Sequence, residues 1–252
     1  MTLLNVERIK LFSTRSPYWC LAMVLAIGAG ITLIIALSTS NKNSLDTADT
    51  QIWANFGLMV IMVMAALSVT TEYRFGTIRN SFLAVPKRVN VLVSKTLLVA
   101  LIAAVVGFVT SLIAYFVMKT VAGDGAEGIV LSSGSDWRIV AGNALTFAIA
   151  AVISIAVGTL IRQSAGAITI LLLWPLLVES LFNVFGSFGR DLAPWLPFAA
   201  GSRFTQDNSM EMGGESLILE NAPSPLQGIL IFAATGVVIW LIALVALNRR
   251  DA

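Results

Sequence analysis

Six long apolar stretches, five of them without a charged residue, constrain the fold of this chain more than any other feature. Each is long enough, as a helix, to cross a hydrocarbon core of about 30 Å. Because lipid offers no hydrogen-bond partners, a spanning backbone must satisfy its own polar groups, which favours helices. The predicted spans are residues 18–37, 52–70, 96–118, 139–161, 165–185 and 228–247.

The amino-acid composition agrees with this interpretation. Hydrophobic residues make up 57% of the chain and charged residues 12%, whereas soluble domains are roughly 45–50% apolar and about 25% charged. A soluble domain of this size could not cover so much apolar surface. We therefore predict an all-α membrane protein with six transmembrane helices, forming a single domain over residues 1–252.

Basic residues are concentrated on one side of the predicted spans. With the N-terminus in the cytoplasm, the inner connections carry eleven basic and three acidic residues, and the outer connections five basic and ten acidic residues. Lys and Arg residues are retained on the cytoplasmic side of a membrane. The pattern predicts that both termini are cytoplasmic.

Enzyme chemistry has little support in the sequence. The chain has no histidine and one cysteine, Cys20, so the commonest metal ligands and a disulfide framework are missing. No G-x-x-x-x-G-K-[ST] phosphate loop, G-x-S-x-G or H-E-x-x-H motif occurs. The basic residues are dispersed along membrane edges, which gives no support to nucleic-acid binding. We expect no catalytic residue, metal site or cofactor on this chain.

The predicted cytoplasmic connection, residues 71–95, contains a short helical pattern ended by Pro86. At 100° per residue, one side of this helix gathers four apolar residues, Phe75, Ile78, Phe82 and Val85. Two interpretations stay open. The helix rests on lipid headgroups, or it is a docking site for a partner.

Two residues interrupt the fifth predicted span. Pro175 predicts a kink, because it lacks a backbone donor. Glu179 is the one ionisable residue inside a predicted span, roughly 21 Å along the helix at 1.5 Å per residue. Its position leaves open a structural or interfacial role and a role in a transport pathway.

Two further patterns concern packing. In the first predicted span, Ala22, Ala26 and Gly30 recur every four positions and predict a seam of close helix contact. The predicted outer segment, residues 186–227, is too long for a hairpin and is apolar and proline-punctuated in its first half. It is expected to dip back into the membrane or to form short interfacial helices.

The loop residues carry a family resemblance. Glu72-Tyr73-Arg74-Phe75-Gly76-Thr77-Ile78-Arg79, followed by Pro86-Lys87-Arg88, is similar to the E-x-x-x-G-T-I and P-x-R signature of ABC-2 type (type V) exporter permeases. Trp195-Leu196-Pro197-Phe198 is similar to another recurrent stretch of that family. The likeness covers essentially the whole chain. It implies a cytoplasmic lead helix, six spans, a coupling helix between spans two and three, and an outer re-entrant region before span six.

The resemblance implies an exporter in the bacterial cytoplasmic membrane, driven by a separate ABC ATPase subunit that holds ATP and Mg²⁺. The residues expected to couple to that ATPase are Glu72, Arg74, Phe75, Gly76, Thr77, Ile78, Arg79, Phe82, Pro86 and Arg88. A second permease copy, identical or different, would complete a pathway between protomers. Candidates for lining that pathway are Asn55, Met59, Met62, Trp174 and Glu179.

Three functions remain as alternatives at this point. The first is the exporter subunit, with an amphipathic small molecule, peptide or lipid-like compound as substrate. The second is a stand-alone secondary transporter or channel, which would normally carry buried ionisable residues or inverted repeats. The third is a non-transporting scaffold or sensor that binds partners through residues 186–227.

Overall fold

The computed structural model describes residues 3–78, 88–123, 127–182, 184–206, 211–212, 215–216 and 222–249. Its architecture is all-α, as predicted, with a lead helix, Leu3–Phe12, before six helices long and apolar enough to span a membrane. We number the spans in chain order: Ser16–Ser38, Asp49–Arg74, Arg88–Ala122, Gly134–Ile161, Ser164–Phe182 and Pro225–Arg249.

Short elements connect the spans. We call the end of the bundle that the sequence predicts to face the cytoplasm the inner end, and the opposite end the outer end. At the outer end the connecting elements are 3₁₀ turns at Lys42–Ser44 and Ala193–Trp195, and helices Gly186–Leu192 and Pro197–Ser202. Two two-residue strands, Glu211–Met212 and Glu215–Ser216, pair antiparallel. The α-helical part of span 2 is Ala54–Arg74, preceded by a 3₁₀ turn at Asp49–Gln51.

The helices extend beyond the predicted spans at several ends. Span 3 has 35 residues, roughly 52 Å at 1.5 Å per residue, and so exceeds the hydrocarbon thickness. Charged residues mark where the hydrocarbon ends, but they do not end a helix. Span 2 continues to Arg74 and the described part of span 3 begins at Arg88, so both helices extend into the connection predicted at residues 71–95.

A capping box explains the early start of span 4. The Ser133 hydroxyl accepts a hydrogen bond from the Asp136 amide at 3.2 Å, and the Asp136 carboxylate accepts from the Ser133 amide at 2.8 Å. This reciprocal pair satisfies two of the amides that a helix leaves unpaired at its first turn. The sequence prediction began the span at residue 139 because it took the uncharged run between Arg138 and Arg162.

Span 4 lies at the centre of the bundle, in contact with spans 2, 3, 5 and 6. Spans 3 and 4 approach closely at Gly107, where an added methyl group would lie 2.7 Å from the carbonyl oxygen of Asn143. Their backbones come this near because glycine has no side chain.

The predicted seam on span 1 was wrong. Its buried face carries Val24, Gly28, Thr32 and Ala36, whereas Ala22 and Ala26 are exposed. The four-residue spacing is present, but it is displaced by two positions. Small residues occur on both sides of this helix, so composition could not select the side that packs.

The interruption that Pro175 predicts is present in span 5. The α-helix Ser164–Leu173 passes into a π-helical turn, Trp174–Val178, before a last turn at Glu179–Phe182. A proline has no amide hydrogen, and its ring clashes with the carbonyl group four residues earlier in the helix. The regular pattern of helical hydrogen bonds therefore cannot continue through it.

The described part of the outer segment up to Gln206 forms short helices. Helix Pro197–Ser202 packs against span 6, where a methyl group added at Gly201 would lie 2.8 Å from the Phe232 ring. Phe232 is two turns inside span 6, roughly 10 Å from that helix's first residue. The outer segment therefore reaches some way down the side of the bundle.

We expect Gly107→Ala to destabilise the protein, because the new methyl group meets the backbone of span 4. Overpacking of this kind costs about 1–3 kcal/mol. Gly30→Ala is the matched control, since nothing lies within 4 Å of a methyl group at that position. Thermal unfolding of the purified protein in detergent measures both. Equal melting temperatures for the two variants would contradict the packing described for spans 3 and 4.

Candidate functional site

A buried lysine joins three helices at the inner end of the bundle. The Lys95 ammonium nitrogen lies 2.6 Å from Glu7 Oε2 and 2.9 Å from Glu72 Oε1. It also donates to the backbone oxygen of Ser68 at 3.3 Å. Glu7 belongs to the lead helix, Glu72 to the last turn of span 2, and Lys95 to span 3. One cation therefore holds together segments that are distant in sequence.

A second lysine completes this group, which we call the charge cluster and which consists of Glu7, Lys10, Glu72 and Lys95. Lys10 Nζ lies 2.8 Å from Glu7 Oε1 and 3.6 Å from Glu72 Oε1. Glu7 and Lys10 are three positions apart on one helix, a spacing that places them on the same face. Two cations and two carboxylates make the cluster electrically neutral.

Burial makes this cluster energetically demanding. The exposed fractions are 2% for Glu7, 6% for Lys95 and 9% for Glu72. A charge removed from water must be paired, and losing one partner of a buried pair costs about 3–5 kcal/mol. Burial alone would raise the pKa of Glu7, but the Lys95 and Lys10 ammonium groups hold it below its usual value near 4.5. Glu7 therefore stays ionised at neutral pH.

The inner end of span 2 is also tied to spans 4 and 5. The Arg162 guanidinium carbon lies 5.0 Å from the centre of the Tyr73 ring, within range of a cation–π contact. The Ser164 hydroxyl donates to the Thr70 hydroxyl at 2.8 Å. Arg162 has φ 59°, a left-handed conformation that ends span 4. Movement of this end of span 2 would thus act on spans 4 and 5 as well as on span 3 and the lead helix.

Residues 74–77, at the end of span 2, are exposed. Phe75 is 70% exposed, and the Arg74 guanidinium lies 5.6 Å from its ring centre. Gly76 has φ 70° and its amide donates to the Tyr73 carbonyl, as glycine commonly does after a helix end. This left-handed backbone conformation favours glycine at position 76.

The other predicted coupling residues are placed as follows. Thr77 donates to the Glu72 carbonyl at 3.4 Å, and Ile78 is buried. Arg88 begins span 3. Arg79, Phe82 and Pro86 lie outside the described residues. The structure therefore brings Glu72 into the charge cluster and places Phe75 at the surface beside it.

A cavity of about 720 Å³ adjoins the charge cluster. The lead helix, the start of span 1, and spans 2 and 3 form its walls, with Leu11, Pro17, Met64 and Val99 among its apolar lining. All four cluster residues line it as well.

A second cavity, which we call the outer cavity, lies at the other end of the bundle and has a volume of about 480 Å³. Spans 2, 4, 5 and 6 and the short outer helices surround it. Among the predicted pathway residues, Asn55, Met59 and Glu179 line this cavity, while Met62 and Trp174 are not part of its lining. Met62 is fully buried between helices.

Glu179 has a structural role in the wall of the outer cavity. Its two carboxylate oxygens accept hydrogen bonds from the backbone amides of Phe198, at 3.0 Å, and Ala199, at 2.7 Å. It is only 6% exposed. These amides open helix Pro197–Ser202 and have no partner within it. Glu179 therefore attaches the outer segment to span 5, and its sequence position alone could not show this.

A buried polar network next to this cavity was not predicted. The Asn143 amide donates to Gln51 Oε1 at 2.9 Å and to the Ser111 hydroxyl at 3.0 Å. All three side chains are buried. Ser111 and Asn143 are polar residues inside predicted spans and were the available signal, but the sequence analysis did not single them out.

These features define a multi-pass membrane protein with a neutral charge cluster at one end and a cavity at the other. The sequence matches the family described as ABC-2 family transporter protein over residues 3–177. The chain belongs to that family and is the membrane subunit of an ABC transporter, without a nucleotide-binding motif of its own. A search of curated proteins finds no match to it.

We expect Lys95→Met to destabilise the protein strongly, because Glu7 and Glu72 would remain buried without their central cation. Loss of one partner predicts a cost of about 3–5 kcal/mol. Lys10→Met is the matched control, because one third of the Lys10 side chain is exposed and water replaces part of its interaction. Melting temperatures in detergent compare the two. An equal, small effect of both substitutions would contradict a structural role for Lys95.

Proposed function

We propose that this chain is the membrane subunit of an ATP-driven exporter and that residues 75–87 dock on a separate ABC ATPase, which binds ATP and Mg²⁺. The observation that carries the proposal is the charge cluster. It joins the two helix ends that flank these residues, with Glu72 on one side and Lys95 on the other, 2.9 Å apart.

This arrangement suits the transmission of force. Because span 2, span 3 and the lead helix share one buried cation, a displacement of residues 75–87 would move these helices together. The contacts of Tyr73 with Arg162 and of Thr70 with Ser164 would extend the movement to spans 4 and 5. Packed cores respond to such a displacement by switching between discrete arrangements.

The charge of the connection indicates the chemistry of its partner. Residues 75–87 contain Arg79 and Lys87. Arg74 precedes them at the end of span 2, and Arg88 follows them at the start of span 3. An acidic groove on the ATPase would complement these cations and steer the encounter. Docking of this kind requires the connection and both termini to lie in the cytoplasm, as the distribution of Lys and Arg residues predicts. We propose that the chain resides in the cytoplasmic membrane of a bacterium.

We also propose that two permease copies form the working unit. Span 5 supports this, because only 17% of the residues in its most apolar stretch are buried within one chain. Its exposed residues include Trp174, Leu177 and Leu181. A second copy, identical or different, would cover this face together with span 2. The substrate is then an amphipathic small molecule, peptide or lipid-like compound that fits between mainly apolar helices.

We expect the double charge reversal Arg79→Glu/Arg88→Glu to uncouple the ATPase. Repulsion from an acidic groove should weaken association by at least about tenfold and abolish stimulation of ATP hydrolysis by the permease. The measurement is ATPase activity in proteoliposomes that contain this chain and its ABC ATPase partner.

Arg249→Glu is the control, since Arg249 is an exposed cation at the inner end of span 6. It should leave stimulation unchanged. Full stimulation by the double variant, with normal membrane insertion, would refute docking through residues 75–87.

A further inference from the structure

The outer cavity is lined by two side chains of opposite charge that form no ion pair with each other. Its described lining includes two charged residues, Glu179 and Arg203. Arg203 caps helix Pro197–Ser202 at its C-terminal end. The remaining lining is mostly apolar and aromatic, with residues such as Phe56, Phe147 and Phe232. This mixture of an apolar wall with few polar groups is typical of ligand sites, which are usually 300–1,000 Å³ in volume.

Glu179 forms no ion pair with Arg203. Both oxygens of its carboxylate accept backbone amides, those of Phe198 and Ala199. The carboxylate is therefore committed to the wall of the cavity.

The backbone at Arg203 is held in place by a second arginine. Arg138 of span 4 donates to the carbonyl oxygens of Phe204, at 2.6 Å, and Arg203, at 3.3 Å. Its guanidinium carbon also lies 5.9 Å from the centre of the Phe204 ring. Gly142 leaves the space into which Phe204 packs, because an added methyl group would lie 2.9 Å from that ring. The backbone that carries the Arg203 side chain is therefore fixed in position.

The guanidinium of Arg203 has no acidic partner among the described residues. It is half-buried, and that burial lowers the pKa of Arg203. A cation that has lost part of its water and has no counter-ion gains most from an anion, and a guanidinium forms paired hydrogen bonds with carboxylate or phosphate.

We propose that the outer cavity binds an amphipathic anion, with a carboxylate or phosphate group on Arg203 and an apolar body against the aromatic wall. The inference deepens the proposed function by naming the chemistry of its ligand. Two sources share this chemistry, an anionic lipid of the bilayer and an exported substrate. Binding can be measured without the ATPase, so its failure would leave the docking proposal intact.

The test uses the full chain in nanodiscs of phosphatidylcholine, with a palmitic acid that carries a diazirine group. After photolysis, mass spectrometry maps the labelled peptides. We expect adducts on the segments that line the outer cavity, and far fewer with the methyl ester of the same probe. Arg203→Gln should reduce the acid adducts by about tenfold, the loss expected for a charge-assisted hydrogen bond.

Two controls separate charge from structure. Arg203→Lys keeps the positive charge and should retain most of the labelling even if the site is slightly disturbed. Arg190→Gln removes an exposed cation from the same outer segment, outside the cavity lining, and should label like the natural protein. Equal labelling by acid and ester, or undiminished labelling of Arg203→Gln, would overturn the proposal.

Two further measurements identify the source of the anion. Competition by phosphatidylglycerol, without ATP-driven movement of the probe, would identify a bilayer lipid. ATP-driven movement of the acid that is lost in Arg203→Gln would identify an exported substrate. Both outcomes require the anion site.

Discussion

The ion pairs of Lys95 with Glu7 and Glu72 are the interactions on which the inner end of this protein depends. Spans pack in lipid without a hydrophobic driving force between them, so polar contacts and close approach must determine which helix ends stay together. Here one buried ammonium group joins the lead helix, span 2 and span 3. The helix ends that flank residues 75–87 are thereby held in a fixed relation, which any transmission of force through that connection requires.

Span 2 connects the charge cluster with the outer cavity. Its inner end carries Glu72 in the charge cluster, and its outer end presents Asn55 and Met59 to the outer cavity. Seventeen positions separate Asn55 from Glu72, roughly 25 Å along a helix. A continuous helix is stiff over such a distance, so a tilt imposed at the inner end would alter the walls of the outer cavity. Glu179 extends this relation to the outer segment, because its carboxylate fixes the backbone at Phe198 and Ala199.

Much of the fold could be predicted from the sequence, because the apolar stretches are long and their flanks are charged. The number of spans and the interruption at Pro175 followed from local patterns, and the family resemblance implied the lead helix. The partners of individual residues could not be predicted. Glu7 and Lys95 are separated by two spans, and a single sequence does not show that they meet. Glu72 was assigned to coupling from its motif, whereas its burial and its partner Lys95 become visible only in three dimensions. The seam of span 1 was displaced because small residues occur on both of its sides.

Accessibility of the connection between spans 2 and 3 tests the central claim most directly. Cys20 is the one cysteine of the chain, so Cys20→Ser with Ser81→Cys leaves a single thiol in that connection. A membrane-impermeant maleimide should label it in inverted vesicles and fail to label it in intact cells, and bound ATPase should reduce the labelling. Labelling from outside intact cells would contradict the topology and, with it, the coupling of this chain to a cytoplasmic ATPase.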